Sequence, residues 1–332
     1  MGGQSTEHEV SLKSGAGVVA ALVGAEHIVT PIVIGLDGRW QVGDGEAVGA
    51  AEGIATLVGL GVDCVFIALH GTYGEDGRIQ GMLDILNIPY TGSGCAASAL
   101  AMDKVRCKAV VQAQGIRVAG HVALDRATWD ADRAQVLEVI TQDIGLPCVV
   151  KACRGGSSVG VRIVAMPDDL DEALNAVFEV DSYLMVEQFV KGTEVTCGVL
   201  DAEASRMIRP LPVTEIVPKD AVFFDYAAKY TPGATEEITP ARISPEMTQR
   251  VQEAAVYVHD MVGCKGWSRS DFILDEQGPV WIEVNTVPGL TETSLYPQAC
   301  KAVGISYSAM CVLFVEAAIR NAQLEASAEG TN

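Results

Sequence analysis

Residues 269–285 constrain this chain most. Phe272, Leu274, Val280, Ile282 and Val284 alternate with polar positions, the two-residue period of a half-buried strand. Asp275-Glu-Gln-Gly278 breaks the pattern with a turn, and Gly278 suits the left-handed position of a three-residue loop at 276–278. That loop puts Asp271 opposite Glu283 and Arg269 opposite Asn285. Two carboxylates, an amide and a guanidinium then share one face of a β-hairpin. Such a face offers hard oxygen ligands to a divalent cation beside a fixed positive charge. The plain alternative is a solvated strand surface, where most strand carboxylates belong. The long polar loop that follows, 286–297, favours function, because loops on a rigid scaffold carry it disproportionately.

With 332 residues the chain can build two or three domains with cores of their own. Its net charge of −20 and pI near 4.5 set its field against nucleic acid and anionic membrane surfaces. An anionic small molecule would have to bind through local Lys and Arg side chains. Nine cysteines occur without a C-x-x-C pair, most within apolar runs, which reads as buried, reduced thiols. No apolar run reaches membrane-spanning length and no signal pattern opens the chain. The expectation is a soluble cytoplasmic protein.

The first hundred residues follow α/β grammar: strand, glycine-rich turn, helix. A helix is expected over about 9–24, with buried strands over 27–36 and 64–69. The second of these ends at His70, where a turn rich in glycine begins; ligands of such sheets collect at strand carboxyl ends. One helix is expected over about 95–114, carrying Asp103-Lys104. Strands follow at 147–152 and 161–164, a helix from 167 to about 178, and strands at 183–190 and 195–200. The stretch 224–237 is poor in apolar residues and reads as a lid loop. Helices at about 245–262 and 306–326 and a frayed tail at 327–332 complete the chain.

Three further constellations carry chemistry. Lys151 ends a strand and is followed by a loop, 153–160, whose glycines and serines, Ser157 and Ser158 among them, bring backbone and hydroxyl donors close together. This suits phosphate oxygens, though it is not a Walker A loop and taken alone is equally a plain turn. Glu187, Gln188, Val190 and Glu194 lie on a connector between two units, the position favoured for small-molecule clefts; alone, both acids read as solvated strand residues. Glu7 opens the first helix and reads either as a partner of the helix dipole or as a counter-ion for an ammonium group.

Taken together these motifs resemble the D-alanine–D-alanine ligase family of the ATP-grasp superfamily. The resemblance spans about residues 2–318 and rests on ordered motifs: 2–12, 68–77, 89–94 with 102–104, 154–160, 224–230, 266–271 and 283–289. It implies an ATP-grasp fold, mixed α/β and α+β, behind a Rossmann-like N-terminal α/β domain. The implied domains are 1–103, a central ATP-grasp subdomain at 104–190, and a C-terminal subdomain at 191–326 with a lid loop at about 220–237. The implied activity is ATP-dependent ligation of two D-alanines through an acyl phosphate, for peptidoglycan precursors. The implied cofactors are ATP and Mg²⁺ or Mn²⁺, two ions per site, and the implied assembly is a homodimer.

By the same resemblance Lys104 and Lys151 bind ATP phosphates, with Ser157 and Ser158 in the loop that follows Lys151. Glu187 and the backbone of Gln188 and Val190 hold adenine, and Glu194 holds ribose. Asp271, Glu283 and Asn285 match the metal ligands. Glu7 matches the acid that takes the first D-alanine's ammonium, with His70 beside that subsite. Arg269 and the Gly289 amide match the oxyanion site. Ser294 holds the second substrate's carboxylate. Ser157, Tyr230 and Lys229 link the lid to the substrate subsites. Sister ligases forming D-alanyl-D-lactate or D-alanyl-D-serine, and a non-catalytic ATP-binding paralogue, are the alternatives. Lys229-Tyr230 resembles the dipeptide-forming type.

One departure stands out. The family has an N-terminal strand leading into the Gly-Gly turn, whereas Met1 here is followed at once by Gly2-Gly3. Either the natural start lies further upstream, the favoured reading, or the protein lacks this strand, which would leave unpaired edges on its neighbours and weaken the placement of Glu7. A chain extended at this end is expected to be more stable.

Overall fold

In a computed structural model the protein is described over residues 1–156, 160–202, 207–218 and 235–329. The N-terminal segment comprises α1 (His8–Gly24), β1 (Ile32–Ile34), β2 (Trp40–Val42), α2 (Ala50–Leu60), α3 (Arg78–Ile85) and α4 (Cys95–Met102). The two expected strands here are shorter than their sequences suggest. Only Ile32–Ile34 of 27–36 forms a strand, antiparallel to β2. Segment 64–69 makes a single parallel bridge, Val65 to Tyr90, and carries no longer ladder.

Met1 to Gly3 run parallel to β1: Ile34 N donates to Met1 O at 2.9 Å and Gly3 N donates to Ile34 O at 2.7 Å. Beyond Met1 lies a cavity of about 430 Å³, lined by apolar residues of 27–34 and 64–69 with Val18, Leu22 and Leu57. These two segments flank the cavity, and Ile28 is fully exposed. Met1 to Gly3 thus pair with β1 at the edge of this cavity. The α-ammonium of Met1 points to Ile32 O at 2.9 Å, and burial pushes its pKa down to about 5. Glu7 nonetheless stays in place, because serines on α1 tie the helix to the neighbouring segment. Ser11 Oγ donates to Ala68 O at 2.7 Å, and Ser14 Oγ contacts His70 Nε2 at 2.9 Å.

The next segment holds α5 (Lys104–Ala113), β3 (His121–Asp125), α6 (Arg126–Ala131), α7 (Arg133–Val139), β4 (Cys148–Ala152), β5 (Arg162–Val164), α8 (Leu170–Phe178) and β6 (Tyr183–Gln188). The single helix expected over 95–114 is two, because Asp103 leaves the helical path and caps α5, accepting from Arg106 N at 3.0 Å. The strands form an antiparallel sheet in the order β3-β6-β4-β5 over an apolar core with Trp129 and Leu174 at its centre.

The remainder builds a second antiparallel sheet from β7 (Thr193–Asp201), β8 (Arg209–Pro210), β9 (Thr214–Pro218), β10 (Thr235–Ile238), β11 (Gly266–Asp275) and β12 (Gly278–Asn285), in the order β10-β9-β7-β11-β12, with β8 beside β7. Helix α9 (Pro245–Val262) packs on one face through Val251, Ala255 and Val258. It begins at Ser244, whose Oγ accepts from Met247 N at 3.1 Å, with Pro245 at its first position. Helices α10 (Leu295–Ala302) and α11 (Tyr307–Glu329) close the structure. The tail expected to fray from 327 is helical to Glu329. Trp267 stacks on Phe314 at 3.8 Å between centroids, in a core that also takes in Val18, Leu22, Val287 and Leu290.

The nine thiols are unpaired and seven are buried, while Cys95 is exposed. Among the described residues no single helix is long and apolar enough to cross a membrane.

Candidate active site

The hairpin sets the site. Its register pairs Asp271 with Glu283 and Arg269 with Asn285. The route to that register differs from the expected one. Asp275 pairs with Gly278, so the turn has two residues, Glu276 and Gln277, and a bulge skips Ile282. Trp281 is therefore carried into the core with Phe272 and Val284, and Ile282 turns to the cleft. The physical reason is the size of the indole. Trp281 is almost fully buried, and its backbone N–H donates to Arg117 O at 2.8 Å.

Asp271 is held from three sides. Thr196 Oγ1 donates at 2.6 Å, Arg269 grips it through Nε and Nη2, both at 2.9 Å, and Asn285 Nδ2 donates at 3.2 Å. Glu283 faces Lys104 Nζ at 3.3 Å, and the same ammonium donates to Gly155 O at 2.7 Å. Helix α5 thus begins where the glycine-rich loop and the hairpin meet. Lys104 N donates to Cys153 O at 3.1 Å, which fixes that junction.

Between the two sheets lies a cleft lined by Lys104, Lys151, Glu187, Val190, Glu194 and Glu283. Asp271 and Ile282 also line it. Lys151 and Glu187 stand on neighbouring strands, two positions apart in register, on one face of the sheet. Lys151 Nζ lies 2.5 Å from Glu187 Oε1, and Lys108 Nζ donates to Oε2 at 2.6 Å. Burial would raise the Glu187 pKa, but Lys151 and Lys108 outweigh it and hold the group at about 2. Burial pushes Lys108 down, against the pull of Glu187. Removing either lysine would leave a buried charge undercompensated, a cost of about 3–5 kcal/mol in comparable pairs.

Glu7 is buried at the entry to α1, between two glycines of different segments. A methyl group added at Gly71 would lie 2.7 Å from Glu7 Oε2, and one at Gly156 would lie 2.5 Å from it. His70 stands beside this acid, its Nδ1 bonded to Val287 O at 3.1 Å. Glu75 Oε1 is 3.7 Å from the same nitrogen, too far for a hydrogen bond but close enough to act through its charge. Burial works against protonation of His70, but Glu75 and Glu7 prevail and raise its pKa. On the far side, Ser294 Oγ accepts from Thr291 N at 3.2 Å and sits against Gly289. Tyr307 Oη donates to Leu290 O at 2.6 Å and anchors that loop.

The structure therefore gathers Lys104, Lys151, Glu187, Glu194, Asp271 and Glu283 around one cleft, with Asn285 bonded to Asp271. Glu7 lies against Gly156 of the cleft's glycine turn, with His70 beside it, while Gly289 and Ser294 lie against each other after the hairpin. Ser157, Ser158, Lys229 and Tyr230, with most of the expected lid loop, lie outside the described residues. Sequence reasoning missed Lys108, Thr196 and Glu75. The first left a trace: Lys104 and Lys108 are one helical turn apart on α5.

Family models match most of the chain. The models for the N-terminus and C-terminus of D-ala D-ala ligase match residues 1–58 with 51–93, and 110–316. The D-alanine–D-alanine ligase of Halalkalibacterium halodurans is 44% identical over 96% of this chain and 97% of its own. That of Pelotomaculum thermopropionicum is 41% identical, over 97% and 96%. Among solved structures, the D-alanine–D-alanine ligase of Coxiella burnetii superposes with a TM-score of 0.81 at 30% identity, over 99% of this chain and 95% of that one. The VanG D-Ala:D-Ser ligase of Enterococcus faecalis gives 0.80 at 34%, over 96% and 97%. The Bacillus anthracis ligase complexed with ATP gives 0.77 at 31%, over 98% and 97%.

The fold is that of an ATP-grasp enzyme behind an N-terminal α/β domain. The chain belongs to the D-alanine–D-alanine ligase family.

Proposed function

We propose that this protein condenses two D-alanines into D-alanyl-D-alanine at the expense of ATP, a step toward peptidoglycan precursors. A carboxylate is a poor electrophile. Its oxygen attacks the γ-phosphorus of ATP, ADP leaves, and an acyl phosphate results. The amine of the second D-alanine then attacks the acyl carbon, phosphate leaves, and the nitrogen loses a proton. The observation that carries this reading is one cleft holding two lysines, Lys104 and Lys151, against the Asp271–Glu283–Asn285 face.

The same reading gives each residue its part. Lys104 and Lys151 take the phosphates, with the turn at Gly155 and Gly156 as their floor. Glu187, with the backbone of Gln188 and Val190, takes adenine, and Glu194 the ribose. Glu7 takes the first substrate's ammonium, with His70 behind it. Arg269 and the Gly289 amide face the oxyanion, where one donor is worth about 3–4 kcal/mol in comparable sites. Ser294 takes the second substrate's carboxylate. The domains divide at about 103 and 190.

The residues present suit Mg²⁺ or Mn²⁺. Among the described residues no three His, Cys, Asp or Glu side chains form a metal cage. Two carboxylates and an amide make a partial oxygen shell, which for Mg²⁺ is completed by phosphates and water. Asn285 turns its Nδ2 to Asp271, so the amide oxygen of that side chain is directed elsewhere. Asp271, Glu283 and Asn285 would hold up to two ions, whose charge would offset that of the transferring phosphoryl group. A cytoplasmic homodimer goes with this reading, and sedimentation tests the assembly.

Incubation with ATP, Mg²⁺ and D-alanine should release ADP and phosphate in step with D-alanyl-D-alanine detected by mass spectrometry. ADP release without dipeptide, or a marked preference for D-lactate or D-serine as second substrate, would overturn the assignment.

A further inference from the structure

Glu187 is bound by two ammonium groups that differ in kind. Lys151 lines the cleft beside the glycine turn, while Lys108 is 0% exposed and lies behind the cleft wall. The two reach different oxygens of the carboxylate, Oε1 and Oε2. Lys108 is fixed by its place on α5, one turn beyond Lys104, and buried at the level of Glu187.

We propose that Lys108 is the permanent counter-ion of Glu187, positioning it as an acceptor for an exocyclic amino group of the nucleotide base, while Lys151 is the exchangeable one. The inference rests on the reading that this cleft takes ATP. When phosphates enter, the Lys151 ammonium exchanges the carboxylate for phosphoryl oxygens, and Oε1 is left to accept from the base. Glu187 is only 4% exposed, so without a second cation it would be a buried, unpaired carboxylate at that moment. Such a group takes up a proton. A protonated Glu187 donates a hydrogen bond, which suits a base with a carbonyl at the same position. Lys108 therefore sets the preference for an amino purine over an oxo purine without touching either.

The test compares ATP with ITP as phosphoryl donors for dipeptide formation. Lys108→Met should raise KM for ATP tenfold or more while KM for D-alanine holds within about twofold. Its ATP-to-ITP ratio of kcat/KM should fall at least tenfold at neutral pH and recover toward pH 9, as Glu187 ionises. A role limited to packing would not move the ratio or give it a pH dependence. Lys108→Met combined with Glu187→Gln removes the buried charge as well as its partner. It keeps the question open to test if the single variant fails to fold, and should show the low ratio at every pH. A folded Lys108→Met, or a folded double variant, with the wild-type ratio would overturn the inference. Lys151→Met separates the two layers. If it leaves KM for ATP unchanged, the ATP reading of the cleft itself falls. If it raises that KM and the Lys108 variants keep the wild-type ratio, only the counter-ion role falls.

Discussion

Arg269 illustrates how one side chain ties charge to geometry. Its fork grips Asp271 through two bonds of 2.9 Å, which points the guanidinium along the hairpin face. Lysine would keep the charge and lose the fork. Arg269→Lys is expected to lower kcat by about 100-fold or more, the scale of one lost oxyanion donor, with little change in melting temperature. A kcat within twofold of wild type would remove Arg269 from the chemistry. Glu187 makes a second prediction, on stability. Its carboxyl is held at about 2 against an ordinary value of 4.5. A depressed acid stabilises the fold fully above its unfolded value and loses that contribution as pH falls through the folded one. Unfolding free energy should therefore fall between about pH 4.5 and pH 2, and more shallowly in Glu187→Gln, as denaturant titrations at several pH values would show.

At the scale of elements, the hairpin was legible in its alternation of apolar and polar residues, and its polar pairing was read correctly from a wrong turn. A three-residue loop and a two-residue turn with one bulged residue reach the same opposition of Asp271 and Glu283. They differ in which of Trp281 and Ile282 enters the core, and the alternation alone could not choose between them. Neighbouring substitutions should report the difference. Trp281→Ala should cost about 3–5 kcal/mol, as large core truncations do. Ile282→Ala should move the melting temperature far less and raise KM for ATP severalfold, because Ile282 lines the cleft. Equal losses of stability in the two variants would count against the bulge. The break between α4 and α5 was missed for a related reason. Asp103 in a helical pattern looks like an interior residue until its carboxylate is seen capping the second helix.

Across the whole molecule, an apolar cavity of about 430 Å³ sits far from the chemistry. Met1 to Gly3 pair with β1 at its edge. The Met1 ammonium donates to Ile32 O, and burial lowers its pKa to about 5. Because the unfolded chain keeps that proton to a higher pH, the fold loses stability as pH falls from about 8 to about 5. Four or five apolar, β-branched residues fused ahead of Met1 should pair with 28–32, fill the cavity and remove the charge. The melting temperature should rise by several degrees, and the slope of stability between pH 5 and 8 should flatten. A Gly-Ser extension of equal length is the control, and equal effects of the two would refute the strand-slot reading.

Elements whose causes are local could be read from the chain alone. Helix α9 starts at Ser244-Pro245 and stops at Gly263, and each signal is a matter of backbone geometry within a few residues. The chemical inventory of the cleft was legible through the resemblance of its ordered motifs to a known family, since taken alone Glu187 and Glu194 read as solvated strand residues. Pairings between distant segments emerge only in the folded chain: Glu7 against Gly156, Lys104 between Gly155 and Glu283, Lys108 behind Glu187. A buried lysine on a helix reads as an ordinary surface residue until the sheet that supplies its carboxylate is folded over it. Its charge is tolerable only in that context, because desolvation and compensation come from two segments 79 residues apart.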